Sequence, residues 1–133
     1  MRRRGPAVAD NLVYHVAEFG VEARRVETGE RVWRFGGRTE GQPEIDLVST
    51  PVVASDSVYV PGWIQRDTMY GHLFVLDAQA GTEQTRVELG RNQEMGRSTP
   101  AVTSDLVFAA TDAGDLYAFG ECGTSILDSC LID

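Results

Sequence analysis

One nine-residue pattern occurs three times in the chain, and its recurrence limits the fold more than any other feature. The copies begin at Pro6, Pro51 and Pro100, so their starts lie 45 and 49 residues apart. They read Pro6-Ala7-Val8-Ala9-Asp10-Asn11-Leu12-Val13-Tyr14, Pro51-Val52-Val53-Ala54-Ser55-Asp56-Ser57-Val58-Tyr59 and Pro100-Ala101-Val102-Thr103-Ser104-Asp105-Leu106-Val107-Phe108, and they align without a gap. A short apolar run, a polar turn containing Asp and a second apolar run ending in an aromatic form the pattern of a β-hairpin. Proline fits because it opens the first strand, where no ladder donor is lost. A repeat of this length marks an array of similar units and makes a small closed barrel of the same strands the weaker reading.

Each hairpin is followed by a glycine-led third strand, Gly71 to Asp77 in the second copy and Gly114 to Phe119 in the third. A fourth strand follows a tight turn: Thr28-Gly29 leads into Arg31 to Phe35, and Ala80-Gly81 leads into Gln84 to Leu89. Glycine there supplies the positive φ that the turn demands. Four antiparallel strands per unit is the arithmetic of a propeller blade. The expected fold is therefore all-β, a β-propeller sector of about three four-stranded antiparallel blades in an incomplete ring, with about eleven strands. The blades are placed at about 5–45, 46–95 and 96–120, the last stopping after three strands, with residues 121–133 as a tail. Val8, Val13, Val53, Val58, Leu73, Val75, Val102, Val107 and Leu116 are the expected core. The stretch from Pro61 to Tyr70 reads as a long loop displaying Trp63, Met69 and Tyr70, a candidate contact surface unless these side chains cover a blade edge.

These residues resemble the quinoprotein-type (PQQ-like) β-propeller repeat of quinoprotein alcohol dehydrogenases and BamB-type outer-membrane assembly lipoproteins. In that family a motif Ala-x-Asp-x-x-Thr-Gly-x-x-x-Trp docks its tryptophan against the turn of the adjacent blade. Ala23, Thr28, Gly29 and Trp33 match it in the first copy, where Arg25 replaces the Asp. Asp77 and Gly81 match in the second, with Val75, Ala80 and Thr85 at the other positions; the third keeps Ala118 and then loses the motif. The resemblance implies that Trp33 docks near Ala78 to Gly81. It also implies seven or eight blades in a ring, so three copies suggest a truncated gene product whose open sides expose apolar faces. Remaining blades of a parent propeller, a protein partner or a homo-oligomer would cover them.

Acids outnumber bases 20 to 12, the net charge is −8, and every basic residue is arginine. Such a surface disfavours nucleic acid and anionic membranes as partners. An acid excess without lysine suits a salt-adapted protein, with a GC-rich genome as the alternative. No apolar run is long enough to span a bilayer. The apolar stretch after Arg2-Arg3-Arg4 is broken by Asp10, Asn11, His15 and Glu18, so no signal peptide is read; family members are often exported or at the cell surface, which leaves the compartment unassigned. Cys122 and Cys130 could close a disulfide loop or remain separate thiols. His15 and His72 read as ordinary strand or turn residues rather than metal ligands.

No catalytic, cofactor-binding or metal-ligating constellation stands out. Acids fall mostly in hairpin turns (Asp10, Asp56, Asp105, Asp112 and Asp115), where the Asp side chain caps the turn by hydrogen bonds to backbone groups and needs no chemical role. Ser49-Thr50-Pro51 and Ser98-Thr99-Pro100 recur with the repeat and so belong to the scaffold. The expected function is a non-catalytic protein-interaction or assembly scaffold without cofactors. The alternative that the resemblance implies is a fragment of a quinone (PQQ)-dependent dehydrogenase using PQQ and calcium, although the adjacent cysteine pair of such enzymes is missing and so is the lipidated cysteine of the assembly lipoproteins.

Overall fold

A computed structural model describes residues 6–37, 44–47, 49–65, 69–91, 100–103, 106–110, 116–120 and 131–132. Its strands form three antiparallel sheets, and no helix occurs among the described residues. The first sheet is β1 (Ala7–Ala9), β2 (Leu12–Ala17), β3 (Gly20–Arg25) and β4 (Arg31–Gly36), paired in chain order. The second comprises β5 (Glu44–Leu47), β6 (Val52–Ala54), β7 (Ser57–Gln65), β8 (Met69–Asp77) and β9 (Glu83–Arg91). Here β7, β8 and β9 pair in sequence, while β5 and β6 share the other edge of β7. The third is β10 (Ala101–Val102), β11 (Leu106–Ala110), β12 (Leu116–Gly120) and β13 (Leu131–Ile132).

Local sequence explains these elements. Pro6, Pro51 and Pro100 each stand immediately before the first strand of a hairpin, where a missing N–H breaks no ladder bond. Asp10 and Asn11 join β1 to β2 with φ of 50° and 67°, the doubly left-handed turn that follows strand twist. Glu18 and Phe19 do the same between β2 and β3, with φ of 52° and 66°.

Period-2 alternation then builds the core. Leu12, Tyr14, Val21, Ala23 and Trp33 of the first sheet form one cluster with Leu47, Val58, Val60, Ile64, Phe74 and Leu76 of the second. From the second sheet's opposite face, Tyr59, Leu73 and Val75 pack with Val107 and Ala109 of the third. The middle sheet is thus covered on both sides, which is why β8 reads as the nearly unbroken apolar run Leu73-Phe74-Val75-Leu76. The opening strands β1, β6 and β10 lie beside one another.

Several expectations change. Val58, Leu73, Val75 and Val107 are buried, and Val13, Val53 and Val102 are half-buried. Val8 is 65% exposed, because it pairs with Val13 on the outer face of the first sheet, opposite the cluster shared with the second, where no described sheet packs. The side chain of Leu116 lies outside the described residues. Among the described residues the strands number thirteen, the additions being β5 and β13, and β13 pairs with β12 as a fourth strand where three were expected. The expected loop after Val60 is instead strand: β7 runs on to Gln65 and β8 begins at Met69. Pro61 is accommodated because the register sets Tyr59 opposite Val52 and Gly62 opposite Leu47, leaving Pro61 in the gap between β6 and β5.

Candidate functional site

Two turns of like sequence adopt the same hydrogen-bond pattern. The Arg25 N–H donates to Glu30 O, Gly29 to Arg25 O and Val26 to Asn11 O; Asp77 donates to Thr82 O, Gly81 to Asp77 O and Ala78 to Asp56 O. Gly29 and Gly81 hold φ of 77° and 75°. The second turn is fastened further by the Asp77 carboxylate, whose Oδ1 accepts from the N–H groups of Gln79 and Ala80. Arg25 cannot do this, and in the first turn the Thr28 hydroxyl accepts from Glu30 N–H instead.

Against the second turn stands the aromatic pair of the first sheet. Trp33 Nε1 donates to Ala78 O at 3.0 Å, and the Tyr14 hydroxyl donates to the same oxygen at 3.0 Å. The two rings lie 5.8 Å apart, and Ala23 sits opposite Trp33 across the β3–β4 ladder. Burial pushes the Tyr14 phenol above its ordinary value, and the charges of Asp10 and Asp77 push the same way. Gly81 lies under the indole so closely that a Cβ there would fall within 3.0 Å of Cγ, Cδ2 and Cε3. Ala23, Trp33, Asp77 and Gly81 therefore meet between the sheets, whereas Thr28 and Gly29 form the separate turn of the first sheet. No described contact of this kind joins the second sheet to the third, since Thr85 stands where a second tryptophan would.

The other face of the first sheet carries a charge cluster that sequence reasoning missed. His15, Glu22 and Arg34 lie in one row across β2, β3 and β4. Glu22 Oε1 lies 2.7 Å from both His15 Nε2 and Arg24 Nε, and Oε2 is 3.9 Å and 3.8 Å from Arg31 and Arg34. Burial pushes the Glu22 carboxyl up, but the hydrogen bonds and charges of Arg24 and His15 outweigh it and hold the group below its ordinary value. Arg34 also donates to Ala17 O and Glu18 O, pinning the β2–β3 turn. The clue lay in the alternation of β3, where Glu22 and Arg24 occupy the face opposite Val21 and Ala23. This side, expected to be apolar, carries an ionic cluster, because Glu22 and Arg24 of β3 and Arg34 of β4 take the outward register beside His15 of β2.

Trp63 is half-buried on β7, opposite Asp46 of β5 and Gly71 of β8, and its buried Nε1 has no hydrogen-bond partner among the described residues. Met69 and Tyr70 open β8, with side chains outside the described residues, and Cys122 and Cys130 lie wholly outside them. His72 is buried and stacks on Phe74 at 5.7 Å. Among the described residues no three His, Cys, Asp or Glu side chains are placed to hold a metal ion, and no helix is long and apolar enough to cross a membrane.

A family model described as outer membrane protein assembly factor BamB matches residues 2–126. No curated protein matches the sequence. Among solved structures, BamB from Moraxella catarrhalis is similar with a TM-score of 0.66 at 19% identity over 86% of this chain and 32% of that one. A europium-containing methanol dehydrogenase gives 0.70 at 16% identity over 97% and 23%. The quinohemoprotein alcohol dehydrogenase from Comamonas testosteroni gives 0.66 at 22% identity over 88% and 19%. These likenesses show the fold, an all-β incomplete propeller, and the chain spans a third or less of each of these structures.

Proposed function

The chain belongs to the PQQ-like β-propeller family represented by the BamB assembly-factor model, and from that membership we propose that it is a non-catalytic interaction or assembly scaffold. The observation that carries the reading is how the described ionisable side chains are engaged. Asp77 caps a turn, Glu83 is paired through both oxygens with Arg86, and Glu22 is held among three arginines and His15. These groups build rigid sheets with faces and edges suited to protein contact, the mode in which a propeller recognises partners without chemistry of its own. The blade divisions at about 5–45, 46–95 and 96–120, a longer parent propeller and adaptation to high salt are parts of the same proposal.

The test is to titrate the protein with PQQ and calcium, following quinone absorbance and alcohol oxidation. The scaffold reading expects neither a bound quinone nor turnover. Stoichiometric quinone binding with alcohol oxidation would replace it by the dehydrogenase alternative.

A further inference from the structure

We propose that the outer face of the first sheet is a polar seam of the parent propeller, where the neighbouring blade presents carboxylates to Arg24, Arg31 and Arg34 instead of the apolar side chains that fill the other two junctions. The inference rests on the longer parent put forward with the scaffold reading, and it names the chemistry of the neighbour.

The repeat shows which face this is. Val13, Val58 and Val107 each stand seven residues after the opening proline. Val58 belongs to the core shared with the first sheet, and Val107 to the core shared with the second. Two residues further on, Val60 and Ala109 are buried with them, whereas the first sheet has His15 there. The ladders extend the correspondence. Val60 pairs with Phe74 and Phe74 with Arg86, as His15 pairs with Glu22 and Glu22 with Arg34. Val58 pairs with Leu76 and Leu76 with Glu83, as Val13 pairs with Arg24 and Arg24 with Arg31. The face by which the second and third sheets each meet the sheet before them is thus, in the first sheet, the face that carries the Glu22 cluster.

Charge sets the neighbour. In the second sheet Arg86 donates to both carboxylate oxygens of Glu83 and lies 5.3 Å from the centre of the Phe74 ring, so its charge is balanced within the sheet. In the first sheet Arg31 stands where Glu83 would, and Glu22 and Arg24 stand where Phe74 and Leu76 would. Three guanidinium groups there lie within 3.9 Å of one carboxylate, that of Glu22, an excess of two positive charges with His15 neutral. Arg24 and Arg31 keep 40% and 54% of their side-chain surface exposed. An apolar blade laid over them would strip their water without supplying a partner, which is strongly unfavourable. Carboxylates on the neighbour remove that cost, since guanidinium forks recognise them through paired hydrogen bonds. The exposed Val8 beside Val13 gives the seam an apolar margin.

The test uses the full chain and a disulfide-cyclised β-hairpin peptide with glutamates along one face, as a stand-in for the neighbouring blade. Fluorescence anisotropy of the labelled peptide in about 0.15 M sodium chloride measures binding. The expected result is saturable binding that weakens at least about tenfold for the matching glutamine hairpin and for Arg31→Glu, with Arg31→Gln intermediate. Arg25→Glu, at an exposed arginine paired with Glu30 outside the Glu22 cluster, should leave binding unchanged. Circular dichroism verifies that each variant stays folded. Absence of saturable binding, equal binding of the glutamine hairpin, or indifference to Arg31→Glu overturns the proposal. Equal binding of the reduced, linear peptide overturns it in favour of a flexible acidic segment of another protein. A dimer in sedimentation velocity that Arg31→Glu abolishes overturns it in favour of a second copy of this chain. The quinone titration has a separate readout, so either reading can fail alone.

Discussion

Removing the indole of Trp33 tests how the first two sheets hold together. A buried tryptophan removes about 150–250 Å² from water, and at about 25 cal/mol per Å² this is an upper bound of about 4–6 kcal/mol. Alanine retains a little of that area, and the Ala78 carbonyl keeps its bond from the Tyr14 hydroxyl, so no acceptor is orphaned. Trp33→Ala should therefore cost about 3–5 kcal/mol. Gly81→Ala should cost at least about 3 kcal/mol: roughly 1–2 from a Cβ at φ 75° and the rest from overlap with the indole, in a turn that Asp77 holds in place. In the Trp33→Ala background the overlap disappears, and only the backbone part of about 1–2 kcal/mol remains. The double variant should thus be less destabilised than the two singles added, by about 2 kcal/mol. Urea unfolding followed by far-ultraviolet circular dichroism on all four proteins measures this coupling. If the changes add within about 0.5 kcal/mol, as for distant sites, Trp33 does not rest on that turn.

Tyr14→Phe should cost about 1 kcal/mol in the same assay, because Trp33 still donates to Ala78 O; a loss above about 3 kcal/mol would mean that the hydroxyl does more than share that acceptor. The Glu22 carboxyl is held below its ordinary 4.5, so its contribution is present above that pH and is lost as pH falls through the lower folded value. Melts between pH 6 and pH 2 should show the midpoint falling at the acid end, and Glu22→Gln should flatten part of that fall; an unchanged profile would contradict the assignment. Gly62→Ala should destabilise by about 1–3 kcal/mol, since its Cβ would collide with the Asp46 carbonyl across the β5–β7 pairing, and a neutral result would argue against that strand. The thermal midpoint should rise from dilute buffer to about 2–3 M potassium chloride as screening relieves repulsion among the acids, whereas a flat or falling midpoint would trace the missing lysines to genome composition.

The hairpins could be read from the sequence because their signals are local. Proline, a turn acid and an aromatic eight residues on each fix one hairpin, and Gly29 and Gly81 mark the turns that follow. The strand β5 could not be read, since Glu44-Ile45-Asp46-Leu47 has no counterpart in the repeat and is defined only by pairing with Ile64 and its neighbours. Pro61-Gly62 looked like a break for the same reason. Proline is harmless only because it falls between two edge partners, and glycine is needed only because the Asp46 backbone approaches it. The Glu22 cluster needs three strands in register before His15, Arg24, Arg31 and Arg34 converge, so separate segments gave no sign of it.

The docking of Trp33 and Tyr14 on one peptide oxygen has a bearing on how such chains can be assembled from copies. The recognised group is the carbonyl of Ala78, which every residue type carries, and its placement depends on the left-handed glycine three residues later. The side chains at 79 and 80 are exposed and take no part. A duplicated unit that keeps the glycine therefore arrives with a ready-made socket, and a unit bearing the aromatic pair can be placed beside it without matching substitutions. Units joined in this way can diverge over most of their surface while remaining interchangeable neighbours.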